Sequence, residues 1–368
     1  MSNMLSAVRS SFLRDETTTA ILEKFASTGI DQFIVSDYCA IEGVSRPTFY
    51  SRFGSVHGLV AEIWIDEGQA WLDRLSSAIF SPSTRDVGMA LILATARRSS
   101  EISEVVMPDL ASWWAEAAES RSPEAIAWLL ANRLGTLLTI GADKGAIAAL
   151  ALDTALYGAA EHRLDESNVR SNAMALTDPA FDDPILDAAY TVIGTVGYHS
   201  ASLTRIARTA KYTTGALYPQ FDNADDVVAA AFRLAQGQIV ESNTELWKTQ
   251  GLSIDSFGAF VEQGLKPGRT RWRRLRLETY IAARPQGSPI AKLARESLNS
   301  MVSGVDEAMT LAEIVTPMRL TVAYFFHTLG LGMSVLDELH LPVSALNHVE
   351  MTRQLVGQVV ASSEPAAQ

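Results

Sequence analysis

The chain repeats itself. A shift of 168 residues lays Ala20 on Ala188, Gly29 on Gly197, Tyr50 on Tyr218, Phe53 on Phe221, Val60 on Val228 and Ala61 on Ala229. Identity between 20–64 and 188–232 is low, but the order of local signals is shared. An apolar helix ends near a Gly (25–29, 193–197), a short helix follows (35–41, 203–209), and a turn leads to Ser45 or Thr213. A one-turn helix then closes on aromatic-x-x-aromatic. A fold for this chain has to build one small helical unit twice.

The rest reads as helix. ALILATARRS, SPEAIAWLLANRLGTLLTIGA and AIAALALDTALYGAAEH are Ala/Leu-rich with a period near 3.6, and long alternating strand patterns are absent. Ser122-Pro123 and Thr316-Pro317 each look like an N-cap followed by Pro at the first helical position. They open apolar helices over 123–142 and 317–338, followed by helices near 146–162 and 345–361. The fold class is all-α.

Composition sets bounds. The 368 residues fit two domains, and 48% are hydrophobic, enough for a sizeable core. The one cysteine, Cys39, excludes an internal disulfide framework and a Cys-based zinc finger, and reads as a buried structural thiol. The first residues lack a signal-peptide core and no uninterrupted apolar run reaches spanning length, so a cytoplasmic chain without a membrane partner is expected. The six His are scattered, with no i,i+4 pair, and no catalytic or phosphate-binding motif is present. No metal, no cofactor and no enzymatic activity are expected.

The net charge of −12 argues against general nucleic-acid coating but permits a local basic surface. Segment 43–55, GVSRPTFYSRFGS, carries Arg46 and Arg52 and no acid. Segment 202–221 carries Arg205, Arg208 and Lys211 and no acid, and acids return at Asp222, Asp225 and Asp226, the last two behind an Asn223 cap. Over 35–53, Val35, Cys39, Val44, Phe49 and Phe53 can face one small core, with Gly43 at the turn and Ser45 as a cap. That is helix-turn-helix geometry. It leaves Arg46, Pro47, Thr48, Tyr50 and Arg52 outward, at a helix end whose free N–H groups suit a phosphate. Arg can pair with guanine, Thr and Pro can touch a thymine methyl, and a Tyr hydroxyl can reach a phosphate.

Residues 20–64 and 185–232 resemble the DNA-binding domain of the TetR family of transcriptional regulators. The resemblance rests on Gly43-Val44-Ser45 at the first turn, Ile206-Ala207 in the second copy's second helix, and Tyr50/Phe53 and Tyr218/Phe221 at the close. The copies depart from the pattern at Val56 and Ala224, where members often carry a phosphate-contacting Lys, at Tyr38-Cys39 and at Ile34. Lys211 takes a turn position that resists the left-handed backbone. The resemblance implies two tandem units, each a three-helix head followed by a helical ligand-binding and dimerisation domain. The divisions are 1–64 (first head), 65–165 (first helical domain), 166–183 (linker), 184–232 (second head), 233–361 (second helical domain) and 362–368 (disordered tail). The expected DNA-reading residues are Ser45, Arg46, Pro47, Thr48, Tyr50, Arg52, Ser202, Lys211, Thr213, Thr214, Gly215, Tyr218 and Gln220.

The implied function is a DNA-binding regulator, a repressor released when a small hydrophobic effector enters the helical domains. Its partners are a double-stranded operator and that effector. One chain would act as a pseudo-dimer, its four late helices packing together with Gly135, Gly141, Gly330 and Gly332 allowing close approach; further homodimerisation stays open. Unlike heads imply an asymmetric operator. Pockets are expected in 65–165 and 233–361, with Trp113, Trp128 and Trp272 as candidate lining residues, although packing is the default for these and for Trp114 and Trp247. The basic run GRTRWRRLRLE (268–278) reads as a solvated helix face or an acidic partner's surface, ahead of a third DNA contact or an anionic-ligand site. The rival function is a ligand-sensing or protein-interaction module whose heads no longer bind DNA.

Overall fold

The structure, a computed structural model, describes residues 13–160, 178–250, 253–284, 287–311 and 319–363, and among these there are helices and turns but no strand. The first half contains α1 (Asp15–Thr28), α2 (Val35–Glu42), α3 (Arg46–Phe53), α4 (Val56–Leu75), α5 (Thr84–Thr95), α6 (Ser100–Ser120), α7 (Pro123–Thr139) and α8 (Asp153–Ala160). The second contains α9 (Pro184–Val196), α10 (Leu203–Thr209), α11 (Ala224–Gln250), α12 (Ile254–Leu265), α13 (Thr270–Ala282), α14 (Pro289–Leu311), α15 (Arg319–Glu338) and α16 (His348–Ser363). The expected linker falls largely outside the described residues, as do Thr316-Pro317 and most of the expected tail.

Local chemistry starts and stops these helices. Ser122 caps α7, its hydroxyl accepting from the Ala125 amide, with Pro123 in the first turn. Asp183 caps α9 in the same way, accepting from the Ile185 and Leu186 amides ahead of Pro184. Both α1 and α9 end at a glycine with positive φ, Gly29 (88°) and Gly197 (82°). A side chain would be strained at either position.

The centre of the molecule is the crossing of α7 and α15. A Cβ on Gly135 would lie 1.8 Å from the Thr328 carbonyl oxygen, and one on Gly332 would lie 1.9 Å from that of Ala131. Each glycine therefore seats on the partner helix one turn before the partner's glycine. The contact is symmetric: 131 matches 328 and 135 matches 332, a shift of 197 residues. Gly141 and Gly330 work differently from the expected helix-to-helix approach. Arginine guanidinium groups occupy their notches, Arg284 at 2.7 Å and Arg276 at 3.2 Å from the built Cβ positions.

Around this crossing, Trp128 packs on Phe325 and Phe326, at ring separations of 5.8 and 6.4 Å. Such pairs add about 0.5–1.5 kcal/mol beyond their buried area. Buried Asn132 ties three helices: it donates to the Ala149 carbonyl and Asp153 and accepts from the Thr328 hydroxyl at 2.7 Å. The Trp128 indole N–H donates to His348 Nδ1 at 2.9 Å, and His348 Nε2–H donates to the Val343 carbonyl at 2.8 Å. The imidazole is thus held neutral in one tautomer.

The two halves are unequal. The heads are related by 168 residues and the central helices by 197, so the second half is longer between them. The excess includes α12, which packs on α16. Membership of the cores differs too. The first head shares one hydrophobic cluster with the central crossing, whereas the second head's core is a separate cluster with Trp272, Leu275 and Ile290. Helix α15 is long and apolar enough to cross a membrane by composition alone, but 67% of its apolar window is buried inside the protein, as befits a core helix.

The run 268–278 corrects the expectation of a solvated face. It forms α13 and its approach, and Trp272, Arg273, Leu275, Arg276, Leu277 and Glu278 are all buried. Most of its arginines find partners within the protein. Arg273 pairs with Asp337 at 2.6 Å, Arg274 with Glu338 at 2.8 Å, Arg271 with Asp187 at 2.5 Å, and Arg269 donates to the Ser242 hydroxyl. At the C-terminal side, fully buried Glu278 accepts from Arg97 at 2.6 Å and pairs with Arg98, which also holds Asp31 beside α1. Burial pushes the Glu278 carboxyl above its ordinary value, and the Arg98 and Arg97 charges pull the other way. Beyond the helix, buried Arg284 donates to Ala26 O in α1 and Leu137 O in α7, and burial lowers its guanidinium to about 10. The turns after α1 and α9 also meet, with Gln32 Nε2 2.6 Å from His199 Nδ1.

Two stability predictions follow from this packing. Gly135→Ala or Gly332→Ala should lower stability by about 1–3 kcal/mol or more through overpacking. Gly237→Ala, whose Cβ meets nothing, should be neutral or stabilising by about 0.5–1 kcal/mol. Urea midpoints of the three variants check this. Burial depresses the His348 imidazole to about 4 in the fold. Between the ordinary value near 6.5 and about 4, the unfolded chain binds this proton and the folded one does not. Stability therefore falls as pH drops through that window, by about 3 kcal/mol from this group. The midpoint-versus-pH slope over that range should flatten in His348→Gln relative to the parent.

Candidate nucleic-acid interface

In the first head the turn between α2 and α3 is made by Gly43, left-handed at φ 69°, ψ 27°. The Ser45 hydroxyl caps α3, accepting from the Thr48 amide and lying 2.9 Å from the Thr48 hydroxyl. Phe49 and Phe53 point inward against Tyr38, with ring separations of 5.2 Å each. Val35, Cys39 and Val44 are half-buried around them. Tyr38 is the residue missed from the sequence: it is fully buried at the centre of the head. Its hydroxyl explains Arg52, which donates to it at 3.2 Å and lies over the Phe53 ring. Arg52 is exposed yet tied back to the head's own core. Ser45, Arg46, Pro47, Thr48 and Tyr50 form the outward face, and the Tyr50 ring is 54% exposed.

The second head reaches a similar arrangement with a weaker third helix. Ser202 caps α10, its hydroxyl accepting from the Arg205 amide at 3.3 Å. Lys211 adopts φ 62° at the turn, the left-handed conformation that a side chain disfavours. Thr213 precedes a single 3-10 turn, Thr214–Ala216, but makes no side-chain cap, unlike Ser45. Leu217 is fully buried where the first head has Phe49, and Phe221 packs on the same core. Lys211, Thr213, Gly215, Tyr218 and Gln220 are exposed, Tyr218 by 58%, and Thr214 is half-exposed. Asn223 caps α11 by accepting from the Asp226 amide at 3.0 Å. Both heads thus present an aromatic hydroxyl beside short polar side chains and a cation, on a surface whose own segment carries no acid. Such a surface can meet phosphates and base edges.

The second half also holds a cavity. A void of about 60 Å³ lies between α11, α12, α13, α14 and α15, lined by Phe260, Trp272, Met301, Phe326 and Met333 among others. It adjoins a hollow of about 150 Å³ beside Val240, Val305 and Ala308, the two sharing Asn243, Phe260 and Met301. Of the three candidate tryptophans, Trp272 lines the void. Trp113 and Trp128 do not: the Trp113 indole donates to Asp73, the Trp128 indole donates to His348, and both rings are core. At the corresponding place the first half is filled by a side chain. Under the 197-residue relation Gly330 of the cavity wall corresponds to Arg133. Arg133 is fully buried, pairs with Asp153 at 2.7 Å, donates to the carbonyls of Leu75 and Ser77, and covers Phe80.

The comparisons agree with this geometry at one head. Residues 185–231 match the family described as "Bacterial regulatory proteins, tetR family". The second head is a helix-turn-helix of the tetR type. A stretch of 79 residues is 36% identical to the Fatty acid metabolism regulator protein of Bacillus subtilis (strain 168), covering 22% of this chain and 41% of the relative. The chain therefore spans less than half of that relative's length in the match. Among solved structures, the fatty acid degradation regulator FadR from Bacillus halodurans matches with 22% identity and a TM-score of 0.38, over 47% of this chain and 96% of that one. FadR from Bacillus subtilis in complex with stearoyl-CoA matches with 20% identity and a TM-score of 0.38, over 49% and 98%.

Proposed function

We propose that the chain is a sequence-specific DNA-binding transcriptional regulator that carries two unlike reading heads on one polypeptide. The observation that carries this reading is the placement of Tyr50 and Tyr218. They sit at equivalent positions of two heads, both exposed, each on an acid-free segment beside Arg46 or Lys211. The symmetric α7–α15 crossing supports a pseudo-dimer, since it gives one chain the frame that two-fold regulators obtain from two chains. Heads in successive major grooves would stand about 34–36 Å apart. Arg46, Pro47 and Thr48 face DNA from one head, and Thr214, Gly215 and Ala216 from the other, so the operator is asymmetric. Arg52 steadies Tyr38 and touches a phosphate from its exposed side.

The effector is a small hydrophobic molecule, and the acyl chemistry named for the Bacillus subtilis relatives makes an aliphatic chain the first class to test. It enters the second half's cavity and releases DNA by favouring a head arrangement that does not fit the operator. Repression and a cytoplasmic location follow from this reading.

Selection of bound duplexes from a random pool tests it, with Tyr50→Ala and Tyr218→Ala run beside the parent. The expected result is an asymmetric motif with two half-sites, each degraded by one variant. Affinity should also fall with salt by about 0.9 log units per phosphate contact per log unit. A motif sensitive to one variant would leave a single working head, and a perfect palindrome would overturn the asymmetric operator. With no enriched motif, the chain is a ligand-sensing or interaction module.

A further inference from the structure

Among the described residues, Arg276 of α13 hydrogen-bonds neutral groups alone. It is buried, 7% exposed, and its guanidinium donates to the His327 carbonyl at 2.8 Å and to His327 Nδ1 at 3.1 Å. Its Nε–H has no acceptor. The other two arginines of the same cavity wall are better placed. Arg273 has Asp337, and Arg269 has the Ser242 hydroxyl with Asp178 nearby. A buried guanidinium without a counter-charge is costly, and a buried carboxylate opposite it is the usual remedy. Among the described residues no acid supplies one here, and the group lines a void whose wall mixes Trp272, Met301, Phe326 and Met333 with Asn243, Gln263 and Ser334.

The surroundings give the void a direction. The inner part, about 60 Å³, is walled by Trp272, Phe326 and Met333 and holds Arg276. A water needs about 10–15 Å³ of such space, so a carboxylate fits. The outer hollow, about 150 Å³, is walled by Val305 and Ala308, and the acid there, Glu307, is exposed. The cationic end is therefore deep and the acidic end is at the mouth. The first half supplies the contrast. Where the second half has Gly330, with the Arg276 guanidinium seated in its notch, the first has Arg133, already neutralised by Asp153.

We propose that this cavity takes an aliphatic carboxylic acid, one per chain, with its carboxylate buried against Arg276 and its chain running past Met301 and Phe260 into the hollow at Val305. The acid enters head first, and its free carboxylate, not a thioester headgroup, is what the site recognises. The proposal deepens the regulator reading and rests on it only for the consequence of binding.

Calorimetric titration of the full chain with decanoate, decanol and decanoyl-CoA tests it. Decanoate should bind with one site per chain, and decanol should bind roughly tenfold or more weakly, because it leaves the charge unanswered. Arg276→Met should abolish that preference. Gly304→Leu is the second variant, since a Cβ at Gly304 meets nothing and the side chain fills the outer hollow. It should keep the parent's melting temperature and lose decanoate binding, which decides the matter if Arg276→Met fails to fold. Equal binding of decanol, tighter binding of decanoyl-CoA, a preference that survives Arg276→Met, or no binding of any of the three would each overturn the proposal. Binding of the selected duplex by the same ligand-free preparations reports on the regulator reading separately. Duplex bound without decanoate binding sinks only the ligand, and the reverse sinks only the DNA reading.

Discussion

Two glycines resting on two carbonyls set the architecture. Gly135 and Gly332 let α7 and α15 approach until any Cβ would collide with the opposite backbone. Several links between the halves are organised around that contact: the Trp128–Phe325–Phe326 cluster, the Asn132–Thr328 hydrogen bond, and the His348 imidazole clamped between Trp128 and Val343. Close-packed interiors tolerate such contacts in one register only. On the proposed reading, this is how one polypeptide holds two DNA-reading heads at a fixed relation.

Helix α13 is the second organising element, and it joins the cavity to both heads. Trp272, Arg273 and Arg276 line the void; Arg271 holds Asp187 of α9; Glu278 gathers Arg97 and Arg98, and Arg98 reaches Asp31 beside α1. Just past its end, Arg284 bonds the closing carbonyls of α1 and α7. On the proposed reading, a small rotation of α13 on ligand entry would be felt at both heads, with the cavity described lying in the second half. On that reading the two heads would respond unequally, for a physical reason. The first head shares its core with the crossing, while the second head packs a core of its own.

The sequence carried the heads well because their signals are local. Gly43, Ser45, Gly197 and Asn223 each fix a backbone turn or cap within three or four residues, and each is found doing so. Glycines 135 and 332 were legible for the same reason, as small residues on apolar helices. What failed depended on distant partners. The run at 268–278 looks solvent-facing because the partners of its charged side chains, Asp337, Glu338 and Arg97, lie far away in the chain. Arg133 gave no sign that it would fill the first half's core, since Asp153 and two backbone carbonyls complete it. Tyr38 was invisible as a core residue because a tyrosine on a short helix is equally at home on a surface. The single 3-10 turn at Thr214–Ala216 has the one-turn length expected there, whereas α3 of the first head runs longer, over Arg46–Phe53.

On the proposed reading, one chain engages two half-sites at once. Native mass measurement of the full chain bound to a duplex carrying both selected half-sites tests this most directly, with a footprint taken on the same complex. One chain per duplex, protecting both half-sites, is the predicted result. Two chains per duplex, each protecting one half-site through a single head, would contradict it.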